Sequence, residues 1–231
     1  PFTSGEDGFD TTTYWVDTGA EVVVFDTSDD DELASMLGAI DDPRVRYVRG
    51  PRGGLNMTQC FEQAVLLARG RFVCMIGDDD GVAPALFDWT RRCDAIGLTS
   101  VTTRPDTYAA YNWPDITSRY FGSAASGRLW IRKPGTGGYA EVNLDQEMRA
   151  FLARAGQGCG SLPRVYHGLI RRDVLDSMRA RFGRCFDGVS PDVSFSYLVV
   201  QCAGRHAEDA HDRHGHGDAR RPAHRAAVFG E

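Results

Sequence analysis

No stretch of this 231-residue chain approaches the roughly 18 to 20 consecutive apolar residues that cross a bilayer. No charged-then-apolar signal segment stands at its start either. A basic surplus is also missing, because 32 Asp and Glu residues outnumber 26 Lys and Arg residues and give a formal charge of −6. Nucleic-acid partners usually require a basic face. We therefore expect neither a transmembrane segment nor a nucleic-acid partner.

Cysteine pairs of the C-x-x-C type are absent too, although the chain has six cysteines. An even number would allow three disulfides in a secreted protein. Cys60 and Cys74, however, lie within apolar runs, where a thiol behaves as a small buried hydrophobic group. This context favours reduced thiols and predicts a cytoplasmic location, which includes the cytoplasmic face of a membrane.

Apolar runs and helical repeats alternate from about residue 21 to residue 103, in a chain with 42% hydrophobic residues. Strands are predicted at 21–25, 45–48 and 71–76, and helices at 33–40, 56–70 and 84–97. Ser28 and Asp31 resemble a capping box for the first helix, and Asn56 can cap the second. This alternation predicts a single α/β domain with a mostly parallel, Rossmann-like sheet flanked by helices.

The second half of the chain is less regular. A long connection rich in Gly, Pro, Ser and aromatic residues precedes further predicted helices and a strand at 165–170. From residue 204 onward the chain holds five of its six histidines and few large apolar side chains, so this stretch cannot bury a core. We expect 204–231 to be a disordered or non-native tail. A metal site at His211, His214 and His216 is the less favoured alternative.

Carboxylates follow two of the predicted strands, Asp26 after the first and Asp78, Asp79 and Asp80 after the third. In open α/β sheets, ligands bind at the carboxyl ends of the strands. Three adjacent carboxylates repel one another unless a cation or hydrogen-bond donors compensate their charge. Mn²⁺ or Mg²⁺, shared with substrate phosphates, fits such a set of oxygen ligands. A solvated acidic turn is the alternative.

The order and spacing of several motifs resemble the inverting glycosyltransferases of family 2, which have the GT-A fold. The motifs are Glu21-Val-Val-Val-Phe-Asp26-Thr-Ser-Asp-Asp, Gly53-Gly-Leu-Asn56, Ala68-Arg-Gly-Arg-Phe-Val73 and Gly77-Asp-Asp-Asp-Gly-Val-Ala-Pro84. A weaker similarity covers Tyr166-His-Gly-Leu169 and Ser190-Pro-Asp-Val193. The resemblance implies that residues 1–103 form the nucleotide-sugar-binding half of one GT-A-like domain, and residues 104–203 its acceptor-binding half.

The resemblance also implies roles for the carboxylates and their neighbours. Asp26 and Ser28 would contact the nucleoside of the donor, and Asp78 and Asp79 its ribose and diphosphate. Asp80 would bind the metal if the motif is read as Asp78-x-Asp80, whereas a register shifted by one residue makes Asp79 the ligand.

The acceptor half contributes three candidates. Asp192 is the candidate general base, with a helix-start carboxylate that favours the helix dipole as the alternative. His167, in a predicted strand, and Trp113, in an aromatic loop, are the candidates for acceptor binding. A core histidine and local aromatic packing are the respective alternatives.

The implied activity is metal-dependent, inverting transfer of one sugar from a nucleotide-diphosphate sugar to a saccharide, lipid-linked or other hydroxyl acceptor. The Gln-x-x-Arg-Trp motif of processive polysaccharide synthases is absent, which argues against processive synthesis. The family's first strand is missing or reduced to Pro1-Phe-Thr-Ser4, so a catalytically inactive fragment or a binding module is the alternative. A nucleotidyltransferase is less favoured, because no Gly-rich phosphate loop with a basic residue occurs near the first strand.

Overall fold

Strands and helices alternate through the first half of the chain in the computed structural model, which describes residues 20–52, 54–77, 82, 85–102, 109–111, 129–131 and 138–210. The strands are β1 (Val22–Asp26), β2 (Val45–Arg49), β3 (Phe72–Val73), β4 (Ser100–Thr102), β5 (Ala109–Tyr111), β6 (Leu129–Ile131), β7 (Gly138–Glu141), β8 (Gly168–Arg171) and β9 (His206–Ala210). The helices are α1 (Glu32–Leu37), α2 (Met57–Leu67), α3 (Ala85–Ile96), α4 (Leu144–Ala153), α5 (Arg172–Phe182) and α6 (Pro191–Val199).

The described strands pair in three groups. β1 and β2 are parallel, in a register that sets Asp26 opposite Arg49. Five strands form a mixed sheet of order β3-β8-β4-β9-β7, in which β4 and β9 are parallel and the other neighbours antiparallel. β5 and β6 form an antiparallel pair. Beyond Val73 the third strand continues as a single parallel bridge between Met75 and Tyr166.

The core lies on both faces of the five-stranded sheet. Leu169 and Ile170 are consecutive on β8, so their side chains point to opposite faces, and both are buried. Ile170 joins a cluster with side chains of α2, α5 and α6, including Val65, Leu175 and Phe195. Leu169 joins a second cluster with α3, whose members include Trp89 and Cys93. Helices therefore cover both faces, which confirms the predicted Rossmann-like α/β domain. The five-stranded sheet is less parallel than predicted, because β7 and β8, from the less regular second half of the chain, pair antiparallel with their neighbours.

One of the two predicted helix caps is present in the structure and the other is not. Asn56 caps α2 as expected: its side-chain oxygen accepts from the Gln59 N–H at 2.9 Å, and Gln59 Oε1 accepts from the Asn56 N–H at 3.0 Å. The capping box at Ser28 and Asp31 is wrong. Asp31 is the N-cap of α1 without a side-chain cap bond, and Ser28 bonds instead to Asp26. The short helix α1 therefore lacks the side-chain cap that α2 has.

The predicted boundary of the tail at residue 204 is too early, because β9 lies between β4 and β7 in the five-stranded sheet. Ala207 is fully buried, while His206 and Glu208 carry polar side chains on the other face of the strand. His206 Nδ1 lies 2.8 Å from Ser100 Oγ, and its Nε2 lies 3.0 Å from the Ser161 carbonyl oxygen. β9 therefore places polar residues, with hydrogen-bond partners in the fold, at positions where apolar residues would have indicated a strand in the sequence. Residues 211–231, including the candidate metal ligands His211, His214 and His216, lie outside the described residues.

None of the six cysteines, all of which the structure describes, forms a disulfide, and Cys93, Cys159 and Cys185 are buried. Burial raises the pKa of the Cys93 thiol to about 11 and that of the Cys185 thiol to about 12. Within the described residues, no helix combines the length and the apolar character needed to cross a bilayer.

The buried His206 makes the stability of the fold dependent on pH. Because a carbonyl oxygen only accepts, Nε2 carries the proton and Nδ1 accepts from Ser100. Burial lowers the pKa of His206 to about 4, whereas an unfolded histidine titrates near about 6.5. Between these two values the unfolded chain binds a proton that the folded chain does not, so the free energy of unfolding falls as the pH falls.

We predict that His206→Gln flattens this pH dependence, since glutamine carries no titrating group. Urea unfolding between about pH 7 and about pH 4.5 measures it, and the wild-type chain should lose more stability over that interval than the variant. Parallel losses in both proteins would show that His206 does not titrate in this way.

Candidate active site

Asp26 is a buried carboxylate at the carboxyl end of β1, with a side chain only 2% exposed. Its Oδ1 accepts from the Ser28 N–H at 2.8 Å and the Ser28 hydroxyl at 2.5 Å. Its Oδ2 accepts from the Tyr47 hydroxyl at 2.6 Å and from Arg49 Nη1 at 2.5 Å. The bonds from Ser28, Tyr47 and Arg49 hold the pKa of Asp26 well below its usual range, although burial opposes them. Asp26 is therefore an ionised, fully hydrogen-bonded group.

Gly50, directly after β2, packs closely against side chains at the end of β1. The Gly50 N–H donates to the Asp26 carbonyl at 2.8 Å. A Cβ atom at this position would lie 2.7 Å from Phe25 Cζ and 3.0 Å from Thr27 Cγ2. A larger residue would therefore have to displace the Phe25 ring and the Thr27 methyl group, which flank Asp26 in the chain.

Arg49 on β2 and Arg52 in the loop after β2 both contact the loop that follows β1. Arg49 Nη2 donates to the Ser28 carbonyl at 2.7 Å and lies 3.6 Å from Asp31 Oδ1. Arg52 Nη2 donates to the same Asp31 oxygen at 2.5 Å. Asp31 is 71% exposed, so its ion pairs contribute little to stability. The buried pair of Arg49 with Asp26 is the stronger connection.

His167 lies beside the end of β3. Its N–H donates to the Met75 carbonyl at 3.0 Å, and the Met75 N–H donates to the Val165 carbonyl at 2.8 Å. The His167 ring stacks on Tyr166, with centroids 4.4 Å apart. Its backbone has a φ of 58°, a left-handed conformation that is uncommon for a non-glycine residue. The hydrogen bond to Met75 thus holds His167 next to the segment that leads through Gly77 to the aspartate cluster.

Asp192 occupies the first turn of α6 and is half-buried. Its carbonyl oxygen accepts from Cys159 Sγ at 3.6 Å. Thr58 Oγ1, in the first turn of α2, donates to the Gly188 carbonyl at 2.7 Å, in the loop before α6. Because α2 follows the carboxyl end of β2, this bond brings the start of α6 to the side of the sheet where β1 and β2 end.

The structure thus joins Asp26 directly to Ser28, holds His167 at the end of β3 and connects the helix of Asp192 to the start of α2. Asp78, Asp79, Asp80 and Trp113 lie outside the described residues.

Sequence reasoning missed Tyr47 and Arg49, the two residues of β2 that bond to Asp26 Oδ2. They are two residues apart in Val45-Arg-Tyr-Val-Arg49, so they share one face of the strand. The signal was present in this spacing. Its meaning depends on the register with β1, and no tight turn fixes the register of a parallel pair.

We predict that Gly168→Ala destabilises the fold by about 3 kcal/mol, because the new Cβ overpacks the start of β8. It would lie 2.2 Å from the Arg164 carbonyl oxygen and 3.0 Å from that of Val101, both backbone atoms that cannot rotate away. Gly158→Ala is the control. At that position φ is +68° but nothing lies within 4 Å, so only the left-handed backbone, about 1 kcal/mol, opposes the change. Equal losses in chemical denaturation would contradict the close packing at Gly168.

No family model matches this chain. The chain is 37% identical over 192 residues to the succinoglycan biosynthesis protein ExoO of Rhizobium meliloti (strain 1021). That alignment covers 80% of this chain and 48% of ExoO, so the chain spans about half the length of this curated relative. The similarity therefore includes most of this chain.

Proposed function

We propose that this chain is a family 2 glycosyltransferase of the GT-A type. It transfers one sugar from a nucleotide-diphosphate sugar to an acceptor hydroxyl, with inversion and with a divalent metal. The observation that carries the proposal is the 37% identity to a succinoglycan biosynthesis protein over 80% of the chain. The α/β fold and the buried carboxylate at the carboxyl end of β1 fit it, because ligands of such sheets bind at strand ends.

On the donor side, Asp26 and Ser28 contact the nucleoside. The ionised state of Asp26 and its position at the end of a strand, beside the exposed Ser28, support this role. Asp78 and Asp79 follow β3 in sequence and contact the ribose and the diphosphate.

Asp80 binds the metal, with Asp79 as the ligand in the alternative register. Among the described residues, no three His, Cys, Asp or Glu side chains are grouped so that they could hold a metal ion. The proposed ligands belong to the three adjacent aspartates that follow β3 in sequence. Carboxylate oxygens are the ligands that Mn²⁺ and Mg²⁺ prefer. A bound divalent ion neutralises the charge that develops on a leaving nucleoside diphosphate.

On the acceptor side, Asp192 accepts the proton of the acceptor hydroxyl. The oxygen attacks the anomeric carbon from the face opposite the diphosphate, the bond from that carbon to the diphosphate oxygen breaks, and a single displacement inverts the configuration. The connection between Thr58 and Gly188 supports Asp192, because it brings the start of α6 to the side of the strand ends. His167 and Trp113 position the acceptor, which is a saccharide, a lipid-linked sugar or another alcohol.

Asp80→Asn should remove the metal-dependent part of nucleotide binding. We expect calorimetry with UDP, GDP and dTDP to show tighter binding with Mn²⁺ in the wild-type chain, and a loss of at least about tenfold in the variant. Asp176→Asn, at an exposed position of α5, is the matched control and should bind like wild type. If wild type binds nucleotides equally well without Mn²⁺, the proposed metal dependence is wrong. If wild type binds no nucleotide at all, the chain is instead an inactive binding module.

Asp192→Asn should separate binding from transfer. We expect nucleotide affinity within about twofold of wild type, and a fall of about 10²- to 10⁴-fold in sugar transfer, because the general base is lost. Release of UDP from UDP-glucose and UDP-galactose in the presence of a panel of saccharide acceptors measures the rate. Normal turnover in Asp192→Asn would assign the base to another residue.

A further inference from the structure

Two side chains on one face of α2 bond to the loop between α5 and α6. Glu62 Oε2 accepts from the Cys185 N–H at 2.8 Å and from the Phe186 N–H at 3.0 Å. One turn earlier, Thr58 Oγ1 donates to the Gly188 carbonyl at 2.7 Å. Residues four apart lie on the same face of a helix, so Thr58 and Glu62 contact the loop side by side.

Aromatic packing places the same loop between α2 and α6. The Phe186 ring meets the Phe61 ring of α2 edge-on, with centroids 5.7 Å apart, and its centroid lies 5.0 Å from that of Phe195 on α6. Cys185 and Phe186 are buried, and a buried N–H needs a hydrogen-bond partner. The Glu62 carboxylate is that partner for both, so α2 fixes the position of this part of the loop.

The loop is also bonded to the first turn of α6, which contains Asp192. Ser194 Oγ accepts from the Asp187 N–H at 3.0 Å and donates to the Pro191 carbonyl at 3.0 Å. Pro191 is buried and is the first residue of α6, where its ring fixes φ. The path from the loop to Asp192 is therefore short and restrained, and the position of Asp192 depends on where α2 holds the loop.

α2 is itself anchored to the sheet. Asn56 caps its start, which follows β2 in sequence, and Val65 joins the same buried cluster as Val73 of β3 and Ile170 of β8. Bonds from this helix to the loop thus set the position of Asp192 relative to the strands. A displacement of about 1 Å at a reacting group can slow a reaction roughly 10²-fold.

We propose that Glu62 and Thr58 are positioning residues that hold Asp192 where it can accept the proton of the acceptor hydroxyl. They act through the backbone of residues 185–190. This inference rests on the proposed function, because it deepens the acceptor side of the same site.

The test measures sugar transfer, with the donor and acceptor that wild type turns over fastest, and nucleotide binding by calorimetry with Mn²⁺. Glu62→Ala should lower kcat roughly 10- to 100-fold, because Asp192 is displaced. The nucleotide Kd should stay within about twofold of wild type, because only the transfer step is affected. Glu62→Gln should keep kcat within about threefold of wild type, since its amide oxygen accepts the same two N–H groups.

Thr58 offers a milder pair of variants. Thr58→Val removes the hydroxyl with little change in shape and should lower kcat about 3- to 10-fold. Thr58→Ser keeps the hydroxyl and should turn over like wild type. Gln63→Ala, at the exposed neighbour of Glu62 on α2, is the matched control and should also behave like wild type. Thermal unfolding shows whether each variant is folded at the temperature of the assay.

A double-mutant cycle separates a positioning role from a general loss of structure. If Glu62 acts through Asp192, Glu62→Ala should lower kcat less than about twofold in the Asp192→Asn background, because residues that act as a unit are not additive. Hydrogen exchange adds a measurement that requires no substrate. Glu62→Ala should speed the exchange of amides in residues 185–194 and leave those of β1 unchanged.

The outcomes distinguish the two proposals. If Glu62→Ala leaves kcat or the exchange of residues 185–194 unchanged, the positioning proposal is wrong and the proposed function stands. The same conclusion follows if Glu62→Ala lowers kcat by equal factors in wild type and in the Asp192→Asn background. If wild type binds no nucleoside diphosphate with Mn²⁺, the proposed function is wrong and the positioning proposal with it.

Discussion

The burial of one ionised carboxylate constrains the whole edge where β1 and β2 end. A buried carboxylate is stable only when hydrogen bonds replace its lost hydration, and Asp26 obtains these bonds from Ser28, Tyr47 and Arg49. The bonds from Tyr47 and Arg49 exist only in the observed register of the two strands, since a shift by one residue would turn both side chains to the opposite face. Glycine at position 50 leaves room for the Phe25 and Thr27 side chains on either side of Asp26. The register of β1 and β2, the path of the loop after β1 and the arrangement of charges at this edge are therefore all linked to the Asp26 side chain.

The residues proposed for the acceptor side are held by different means, mostly through the backbone. His167 is fixed by its N–H bond to Met75, and Gly168 beside it packs against two carbonyl oxygens that leave no room for a Cβ atom. The start of α6 is connected to α2 through the bond from Thr58 to the Gly188 carbonyl. Hence the acceptor half, as proposed, depends less on side-chain identity than the donor half, where charged and hydroxyl groups make the contacts.

Much of the fold could be predicted from sequence, because β1, β2 and α2 carry strong local signals. Four consecutive apolar residues before Asp26 indicate a buried strand, and Asn56 with Gln59 forms a local cap that needs no tertiary contact. Two parts could not be predicted. The partners of Asp26 depend on strand register, which is a non-local property, and β9 has polar residues whose bonds to Ser100 and Ser161 are visible only in the folded chain. Asp26 and Ser28 were found as neighbours because they are close in sequence, whereas Tyr47 and Arg49 are not.

The position of β9 also determines how late in synthesis the five-stranded sheet can be completed. Ser100 and His206, which bond across β4 and β9, are 106 residues apart, and β9 is the only described strand that joins β7 to the rest of the sheet. A nascent chain on the ribosome therefore carries unpaired edges on β4 and β7 until the segment His206–Ala210 has emerged. Unpaired edges of this kind attract other strands, and long-range pairing is slow. The central sheet is accordingly open to wrong partners while the 106 residues that separate Ser100 from His206 are made, and a short polar strand ends that exposure.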